Sequence, residues 1–303
     1  MKEISRRAFL KTTAASVALA AAWKRVPVLM ANPLGLPIGL QLYSVRDILP
    51  KDYEGTLQQL SALGFREVEA AGFFGRSPSA VQQAMAHAGL SCVSAHYPLS
   101  QLLPKVDETI QFGKDLGLDY IVCASPMLKD PARVKDPGSR EAREAMTLDD
   151  WKWNADQFNH IGEKVHAAGM KFAYHNHTPE FRSENGIMFY DELLRSTDPA
   201  KVAMELDCGW AEVAGQNPVD LLKHYPTRIK MLHVKDFKLT AAVTPATAPP
   251  STELGRGTID YRPIFEAAKK ASIEHAFVEQ EEFDMPAMAA LKIDADYMRA
   301  LNV

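Results

Sequence analysis

Cysteine is scarce in this chain, and its spacing excludes two classes of protein. The 303 residues include three cysteines, Cys92, Cys123 and Cys208, each inside an apolar run. An odd and widely spaced set makes neither a disulfide framework nor a CxxC zinc site. We therefore expect three buried thiols that behave as small hydrophobic side chains.

An excess of positive charge is also missing. The formal net charge is −4, from 34 Lys and Arg residues against 38 Asp and Glu residues. A protein that binds nucleic acid needs a basic surface to neutralise phosphates, and the sequence contains no basic stripe. We therefore expect no nucleic-acid partner, which also disfavours a metal-dependent endonuclease.

No apolar run is long enough to predict a membrane span. The N-terminal run TTAASVALAAA (residues 12–22) is shorter than the roughly 20 residues that a spanning helix needs. It follows SRRAFLK, and twin arginines, a Phe–Leu pair and a modest apolar run resemble a twin-arginine export signal. The alternative is an amphipathic N-terminal helix. We predict a signal over residues 1–31, the twin-arginine export machinery as a partner, and a periplasmic or extracytoplasmic location.

After Pro33 the sequence alternates short apolar runs with longer amphipathic segments. Several of the amphipathic segments end in glycine, as helices often do. Eight strand–helix repeats in roughly 270 residues predict a single-domain (β/α)8 TIM barrel over residues 36–303. An open doubly wound sheet is the alternative, but no GxGxxG motif follows the first strand. The predicted strands are residues 38–44, 65–71, 91–97, 119–125, 171–177, 202–208, 229–237 and 276–283.

Polar residues occupy one face of the predicted strands. Alternate residues of a strand share a face, so in KFAYHNH the side chains of His175 and His177 point the same way. A purely structural barrel has Val, Ile and Leu inside, and unpaired buried ionisable groups cost several kcal/mol each. Polar residues at the carboxyl ends of the strands therefore indicate an active site. On the other strands this face carries Gln41, Glu67, Glu69, Ser94, His96, Glu205, Asp207, His233, Lys235, Glu279 and Glu281.

Four residues that can bind metal lie on consecutive strands 5 to 8: His175, Asp207, His233 and Glu279. Mixed imidazole and carboxylate ligands suit one borderline divalent ion, Mn²⁺, Co²⁺, Zn²⁺ or Fe²⁺. For any single residue the alternative is structural, namely a core histidine bound to backbone carbonyls or an aspartate that caps a helix. Because four such residues share the inward face, the sequence predicts a metal site.

The segments AYHNH, ELDCGW, LHVKD, LGRGTIDY and VEQEEF resemble, in order and spacing, the xylose isomerase-like TIM-barrel superfamily of sugar (phosphate) isomerases and epimerases. The resemblance covers residues 36–300. It implies a metal bound by Glu, Asp, His and Glu from strands 5 to 8, with the two glutamates as acid and base. Asp207, His233 and Glu279 match this pattern. His175 replaces the first glutamate, and Trp210 stands where many members have histidine.

This resemblance implies a metal-dependent sugar isomerase or epimerase, and the predicted signal adds that it is exported and acts on a non-phosphorylated sugar. The metal would polarise the sugar carbonyl and stabilise an enediolate after a base removes the α-proton. Two of the candidate residues have structural alternatives. Lys235 could pair with Glu205 inside the barrel, and the alternative to Trp210 stacking on a sugar is that it covers the barrel mouth. The catalytic candidates are Glu279, His177, Glu180 and Lys235. The substrate-binding candidates are His96, Glu69, Trp210 and Asn176.

Two other functions stay open. A lyase would cleave 3-keto-glycosides by β-elimination, which does not need two carboxylates on opposite faces of one carbon. A non-catalytic sugar-binding barrel belongs to another class, and the joint presence of Asp207, His233 and Glu279 disfavours it. In each case the expected partner is a small carbohydrate, and a homo-oligomeric state stays open.

Two segments interrupt the strand–helix rhythm, residues 127–146 after strand 4 and residues 238–257 after strand 7. Both connect a strand to the next helix, so we expect them on the active-site face. The second is rich in Pro, Ala and Thr, and the sequence does not distinguish between a mobile lid and a disordered spacer. After strand 8, the carboxylates of Glu281, Glu282 and Asp284 are predicted to repel a substrate phosphate.

Overall fold

Eight parallel strands close into a barrel in the computed structural model, which describes residues 31–240 and 244–303. The first and last strands pair, with Leu40 opposite Val278. The predicted (β/α)8 TIM barrel is confirmed, whereas the predicted export signal lies outside the described residues except for Ala31. The strands are β1 (Gly39–Gln41), β2 (Glu67–Ala70), β3 (Ser91–Pro98), β4 (Tyr120–Ser125), β5 (Lys171–His175), β6 (Val202–Asp207), β7 (Ile229–Val234) and β8 (His275–Val278).

Helices surround the barrel. Three of them end at a glycine with positive φ (Gly64, Gly89 and Gly117), as expected, because glycine adopts this conformation freely. Among the described helices, none has both the length and the apolar character of a membrane span. The helices are α1 (Tyr53–Leu63), α2 (Pro78–Ala88), α3 (Leu99–Leu116), α4 (Arg140–Glu144), α5 (Leu148–Ala167), α6 (Phe189–Ser196), α7 (Cys208–Val213), α8 (Pro218–His224), α9 (Tyr261–Ala268) and α10 (Ala287–Ala300).

The core has two parts. The larger part lies between the strands and the helices, and the three cysteines are buried, as predicted. The smaller part is a cluster of Val93, Tyr120, Val122, Ala173, Met231 and Phe277. On β5, β7 and β8 these apolar residues come two positions before His175, His233 and Glu279, so they form an apolar floor under the polar end of the barrel.

Several strands end earlier than predicted. Strand β5 ends at His175 and β8 at Val278, so His177 and Glu279 lie in the connections that follow. Strand β1 ends at Gln41 because a 3-10 turn, Leu42–Val45, begins there, and the Gln41 side chain accepts the backbone N–H of Tyr43 at 3.0 Å. The polar residues therefore lie at the strand ends and just beyond them.

The two interrupting segments are partly ordered. The first contains α4 and a 3-10 turn, Pro131–Arg133. In the described part of the second, Ser251–Thr252 pairs antiparallel with Asp236–Phe237. The Asp236 carboxylate fixes the following LGRG turn by accepting backbone N–H groups at 2.9 to 3.1 Å. The donors are Phe237, Gly255, Gly257 and Ile259.

Candidate active site

A cavity of about 390 Å³ lies at the carboxyl ends of the strands. Five of the predicted site residues line it: His96, His175, His177, Trp210 and Glu279. Its wall also contains residues outside the predicted set, among them Tyr43, Tyr97 and Arg143. The cavity is therefore the place where a substrate could contact the predicted site.

The four predicted metal ligands come together beside this cavity. Ligand atoms of His175, Asp207, His233 and Glu279 lie within 4.8 Å of one another, and all four residues are buried. His233 Nδ1 lies 2.9 Å from Glu279 Oε2, and His175 Nε2 lies 4.0 Å from Asp207 Oδ2. Atoms bound to one ion at about 2.0–2.2 Å are roughly 3–4 Å apart, so small adjustments would let this group hold a divalent ion.

Asp207 supports the same conclusion. Its Oδ1 accepts the backbone N–H of Trp210 at 2.8 Å, because Asp207 is the N-cap of α7. Its Oδ2 is buried and forms an ion pair with Lys235 Nζ at 3.2 Å. Asn176 fixes the position of Asp207. Its Oδ1 accepts the backbone N–H of Asp207 at 3.1 Å, and its Nδ2 donates to the backbone C=O of Asp207 at 3.3 Å. Asn176 is fully buried and is not among the residues that line the cavity, and its contact with substrate stays a prediction.

Lys235 is a buried cation behind the cavity wall. Its Nζ lies 3.2 Å from Asp207 Oδ2, 3.0 Å from Glu279 Oε2 and 2.6 Å from Glu281 Oε1. Burial opposes its charge, but these three carboxylates outweigh burial and raise the pKa of Lys235 well above its usual value. The alternative pairing of Lys235 with Glu205 is not observed.

Two inner carboxylates lie beneath the four ligands. Glu69 Oε1 is within 2.8 Å of the Nε2 atoms of His96 and His233, and Glu205 Oε2 lies 2.7 Å from His96 Nε2. Burial disfavours the imidazolium form of His96, but Glu69 and Glu205 outweigh it and raise the pKa to about 9. Glu69 also accepts hydrogen bonds from Gln41 and Ser94. Glu69 is fully buried and is not among the residues that line the cavity, and its contact with substrate stays a prediction.

His177 and Glu180, the two alternative bases, differ in position. Glu180 is buried, and its two oxygens accept the Tyr174 hydroxyl and, at 3.0 Å, the backbone N–H of His177. His177 lines the cavity, and its Nδ1 has no hydrogen-bond partner in the described chain. Burial, together with the positive charges of Arg143 and Lys235, lowers the pKa of His177 to about 3. The imidazole is therefore neutral, and only this member of the pair faces the cavity.

The remaining residues set the shape and charge of the cavity mouth. The Trp210 ring lies 6.3 Å from the His177 ring and 5.0 Å from Phe237. Arg143 comes from α4, in a segment whose sequence, REAREAM, does not distinguish it from neighbouring charged residues. Of the three carboxylates predicted at the mouth, only Glu281 lines the cavity. Glu282 instead accepts hydrogen bonds from Ser251, and Asp284 is exposed.

Comparisons with known proteins agree with this fold. A family model described as xylose isomerase-like TIM barrel matches residues 57–301. The inosose dehydratase of Geobacillus thermodenitrificans is 26% identical over 257 residues, which cover 78% of this chain and 84% of that protein. The inosose dehydratase of Clostridium beijerinckii is 24% identical over the same shares. A sugar phosphate isomerase/epimerase from Parabacteroides distasonis superposes with a TM-score of 0.70 and 26% identity, covering 86% of this chain and 96% of that one.

Proposed function

This chain belongs to the xylose isomerase-like TIM barrel family, and on that premise we propose that it is a sugar-modifying enzyme that removes the proton next to a ketone. The relatives named above are dehydratases and an isomerase/epimerase. Both reaction types, on a polyhydroxylated carbonyl compound, begin with loss of the α-proton to a base. This shared first step is therefore the part of the proposal that the relatives support together.

The observation that carries the proposal is the position of His177. Its side chain lines the same cavity as His175 and Glu279, and its buried Nδ1 has no hydrogen-bond partner in the described chain. A general base must be unprotonated and free to reach the proton that it removes. The neutral His177 lies beside the cavity with one nitrogen that no described residue engages, whereas Glu279 Oε2 is already in contact with His233 Nδ1 and Lys235 Nζ. The low pKa of His177 makes it a weak base in the free protein. When it takes the proton, the negative enolate forms beside it and stabilises the imidazolium.

A divalent ion would be held by His175, Asp207, His233 and Glu279, and when bound it would supply Lewis-acid polarisation of the substrate carbonyl. The charges around the proposed ion site partly balance one another. The Lys235 ammonium lies between the carboxylates of Asp207 and Glu279, so it offsets their mutual repulsion. Glu180 fixes the backbone of His177 and so keeps the proposed base beside the cavity.

We favour elimination, as in a dehydratase or lyase, as the outcome. His175 occupies the place of one family glutamate, so the usual pair of carboxylates for opposite faces of one carbon is not present. Elimination needs one base and the release of a group from the β-carbon. The inosose dehydratases, which align with 78% of this chain, support this outcome. Isomerisation or epimerisation is the second candidate, and the structural relative at 26% identity supports it.

Solvent-proton exchange tests the proposal. Wild-type protein in D₂O, given a panel of keto-sugars and keto-cyclitols, is expected to introduce deuterium at the α-carbon. Mass spectrometry then separates elimination, which loses water or an alcohol, from isomerisation, which keeps the mass. His177→Gln should stop the exchange, while His224→Gln, at an exposed position on α8, should not affect it. Substrate binding without exchange in the wild type would instead support the non-catalytic barrel, and full exchange in His177→Gln would pass the role of base to Glu279.

A further inference from the structure

The two histidines of the proposed ion site each belong to two groups of ligand-type side chains. The outer group is the site itself, and the inner group consists of His96, His175, Glu205 and His233. His175 divides its ring nitrogens between the groups. Its Nδ1 lies 3.0 Å from Glu205 Oε2, and its Nε2 lies 4.0 Å from Asp207 Oδ2. The inner contact therefore involves the nitrogen that the outer group does not use.

The same division is found at His233. Its Nε2 lies 2.8 Å from Glu69 Oε1 on the inner side, and its Nδ1 lies 2.9 Å from Glu279 Oε2 on the outer side. A histidine that binds a metal through one nitrogen usually donates the other N–H to a carboxylate or a carbonyl, which fixes its tautomer and orientation. The inner glutamates lie where such acceptors are needed.

We propose that Glu205 is a positioning residue that holds His175 in the Nδ1–H tautomer, so that the lone pair of Nε2 is available to the outer group. The proposal rests on the ion site proposed above. Glu205 Oε2 lies at hydrogen-bond distance from two imidazoles, His96 Nε2 at 2.7 Å and His175 Nδ1 at 3.0 Å. With an N–H on each of these two nitrogens, Oε2 accepts both hydrogen bonds, and the inner group is then a layer of hydrogen bonds beneath the proposed ion site instead of a second ion site.

The burial of Glu205 makes this contact strong. Glu205 and His233 are fully buried and His175 is 2% exposed, so water does not compete for these hydrogen bonds. Glu205 Oε1 accepts no hydrogen bond from the described part of the chain, so Oε2 makes all the hydrogen bonds of this carboxylate. A glutamine here keeps one neutral oxygen acceptor, whereas a leucine of similar size keeps none.

The test compares three side chains at position 205. Relative to wild type, Glu205→Leu is expected to weaken Co²⁺ and Zn²⁺ binding by about 10–100-fold, with Glu205→Gln between the two. Metal affinity is measured by competition with a chromophoric chelator. The matched control is Glu67→Gln, since Glu67 Oε2 faces His275 Nδ1 at 2.9 Å at the other end of the barrel. This variant should bind both metals like the wild type.

A second readout needs no metal. In ¹⁵N NMR spectra of the metal-free protein, His175 should be the Nδ1–H tautomer in the wild type and in Glu67→Gln, and a mixture of tautomers in Glu205→Leu. An Nε2–H tautomer in the wild type, or wild-type metal affinity in a folded Glu205→Leu, would overturn the proposal. If Asp207→Ala still binds the metal while Glu205→Leu does not, the ion lies in the inner group. A wild type that binds no metal but shows the expected tautomers would refute the ion site and leave the role of Glu205 in place.

Discussion

One oxygen of Glu180 accepts the backbone N–H of His177 at 3.0 Å, and the other accepts the hydroxyl of Tyr174. Tyr174 is the last residue but one of β5, and His177 is the second residue after this strand. The carboxylate therefore ties the connection that carries the proposed base to the rigid strand before it. Buried polar groups joined in this way hold a single conformation as long as each one has its partner.

Removing the Tyr174 hydroxyl tests this connection. We expect Tyr174→Phe to lower the free energy of unfolding by about 1–3 kcal/mol, because Glu180 Oε1 then stays buried without a donor. The control is Tyr190→Phe. Tyr190 is fully buried, but its hydroxyl has no partner among the described residues, so its removal should leave stability unchanged or raise it. Urea unfolding measures both, and equal losses in the two variants would contradict the role of Tyr174.

Metal content tests the four-residue group directly. Purified protein is expected to hold about one divalent ion per chain, and chelation should remove both the ion and solvent-proton exchange. The double variant Asp207→Ala, His233→Ala should lose the ion. A matched control is Asp156→Ala, His160→Ala, which removes the same residue types from exposed positions of α5. A full complement of metal in the Asp207 and His233 variant, measured by elemental analysis, would rule out the proposed site.

The substrate is expected to lack phosphate. The carboxylates of Glu279 and Glu281 both line the cavity, and an enzyme outside the cytoplasm would meet few phosphorylated sugars. We therefore expect a higher kcat/KM for a keto-sugar than for its phosphate ester. Arg143 is an arginine of the cavity wall that could reverse this preference. A preference for the ester that disappears in Arg143→Gln would show that Arg143 binds phosphate and that the prediction is wrong.

Stability should fall as pH rises through the range in which Asp294 titrates. Burial raises the pKa of Asp294 from 3.8 to about 7. Its Oδ1 accepts the backbone N–H of Leu254 at 2.7 Å, and its buried Oδ2 has no partner within the described chain. Between these pKa values the unfolded chain has lost the proton that the folded chain keeps, so each rise in pH favours unfolding. Below this range the penalty is absent, and above it the penalty is constant.

Asp294→Asn is expected to remove this dependence and to gain stability relative to wild type, by a few kcal/mol between about pH 4 and pH 8. Asp296→Asn is the control on the same helix. Burial is slight at Asp296, and Lys292 and Arg299 lower its pKa, so this variant should have a small effect of the opposite sign. Urea unfolding across this pH range measures both. A wild type and an Asp294→Asn variant with parallel pH profiles would show that Asp294 is ionised in the folded protein throughout.

The predicted signal over residues 1–31 implies that export depends on the twin arginines. We expect Arg6→Lys, Arg7→Lys to retain the protein in the cytoplasm of a host that has a twin-arginine pathway. Arg25→Lys, beyond the apolar run, should be exported like the wild type. Cell fractionation measures the location, and cytoplasmic wild-type protein would contradict the predicted signal.

The sequence by itself determined the barrel and the side of each strand that faces inward. Eight short apolar runs that alternate with amphipathic segments leave few other folds, and the period of two residues places His175, Asp207 and His233 inside. Local chemistry also determined the helix ends at Gly64 and Gly89. These features depend on the spacing of residues along the chain, which the sequence contains.

Only the tertiary structure decided how deep in the barrel each polar side chain lies and which residues it contacts. Alternation places Glu69, Glu205, Asp207 and Glu279 on one face, but the strand register decides that the first two lie in an inner layer. That register shifts beside both inner glutamates, between Val68 and Glu69 and between Met204 and Glu205. Such shifts depend on how one strand pairs with the next, which the pattern within a single strand does not contain.

The strand ends and the long connections are the other features that the sequence left undecided. Glu180 turns away from the cavity because a 3-10 turn, Pro179–Phe181, follows β5, and Arg143 reaches the cavity from α4. The sequence determined which residues could do chemistry. Which of them meet the substrate, which hold the others in place and which nitrogen of a histidine faces an ion depend on contacts that form only when the barrel closes.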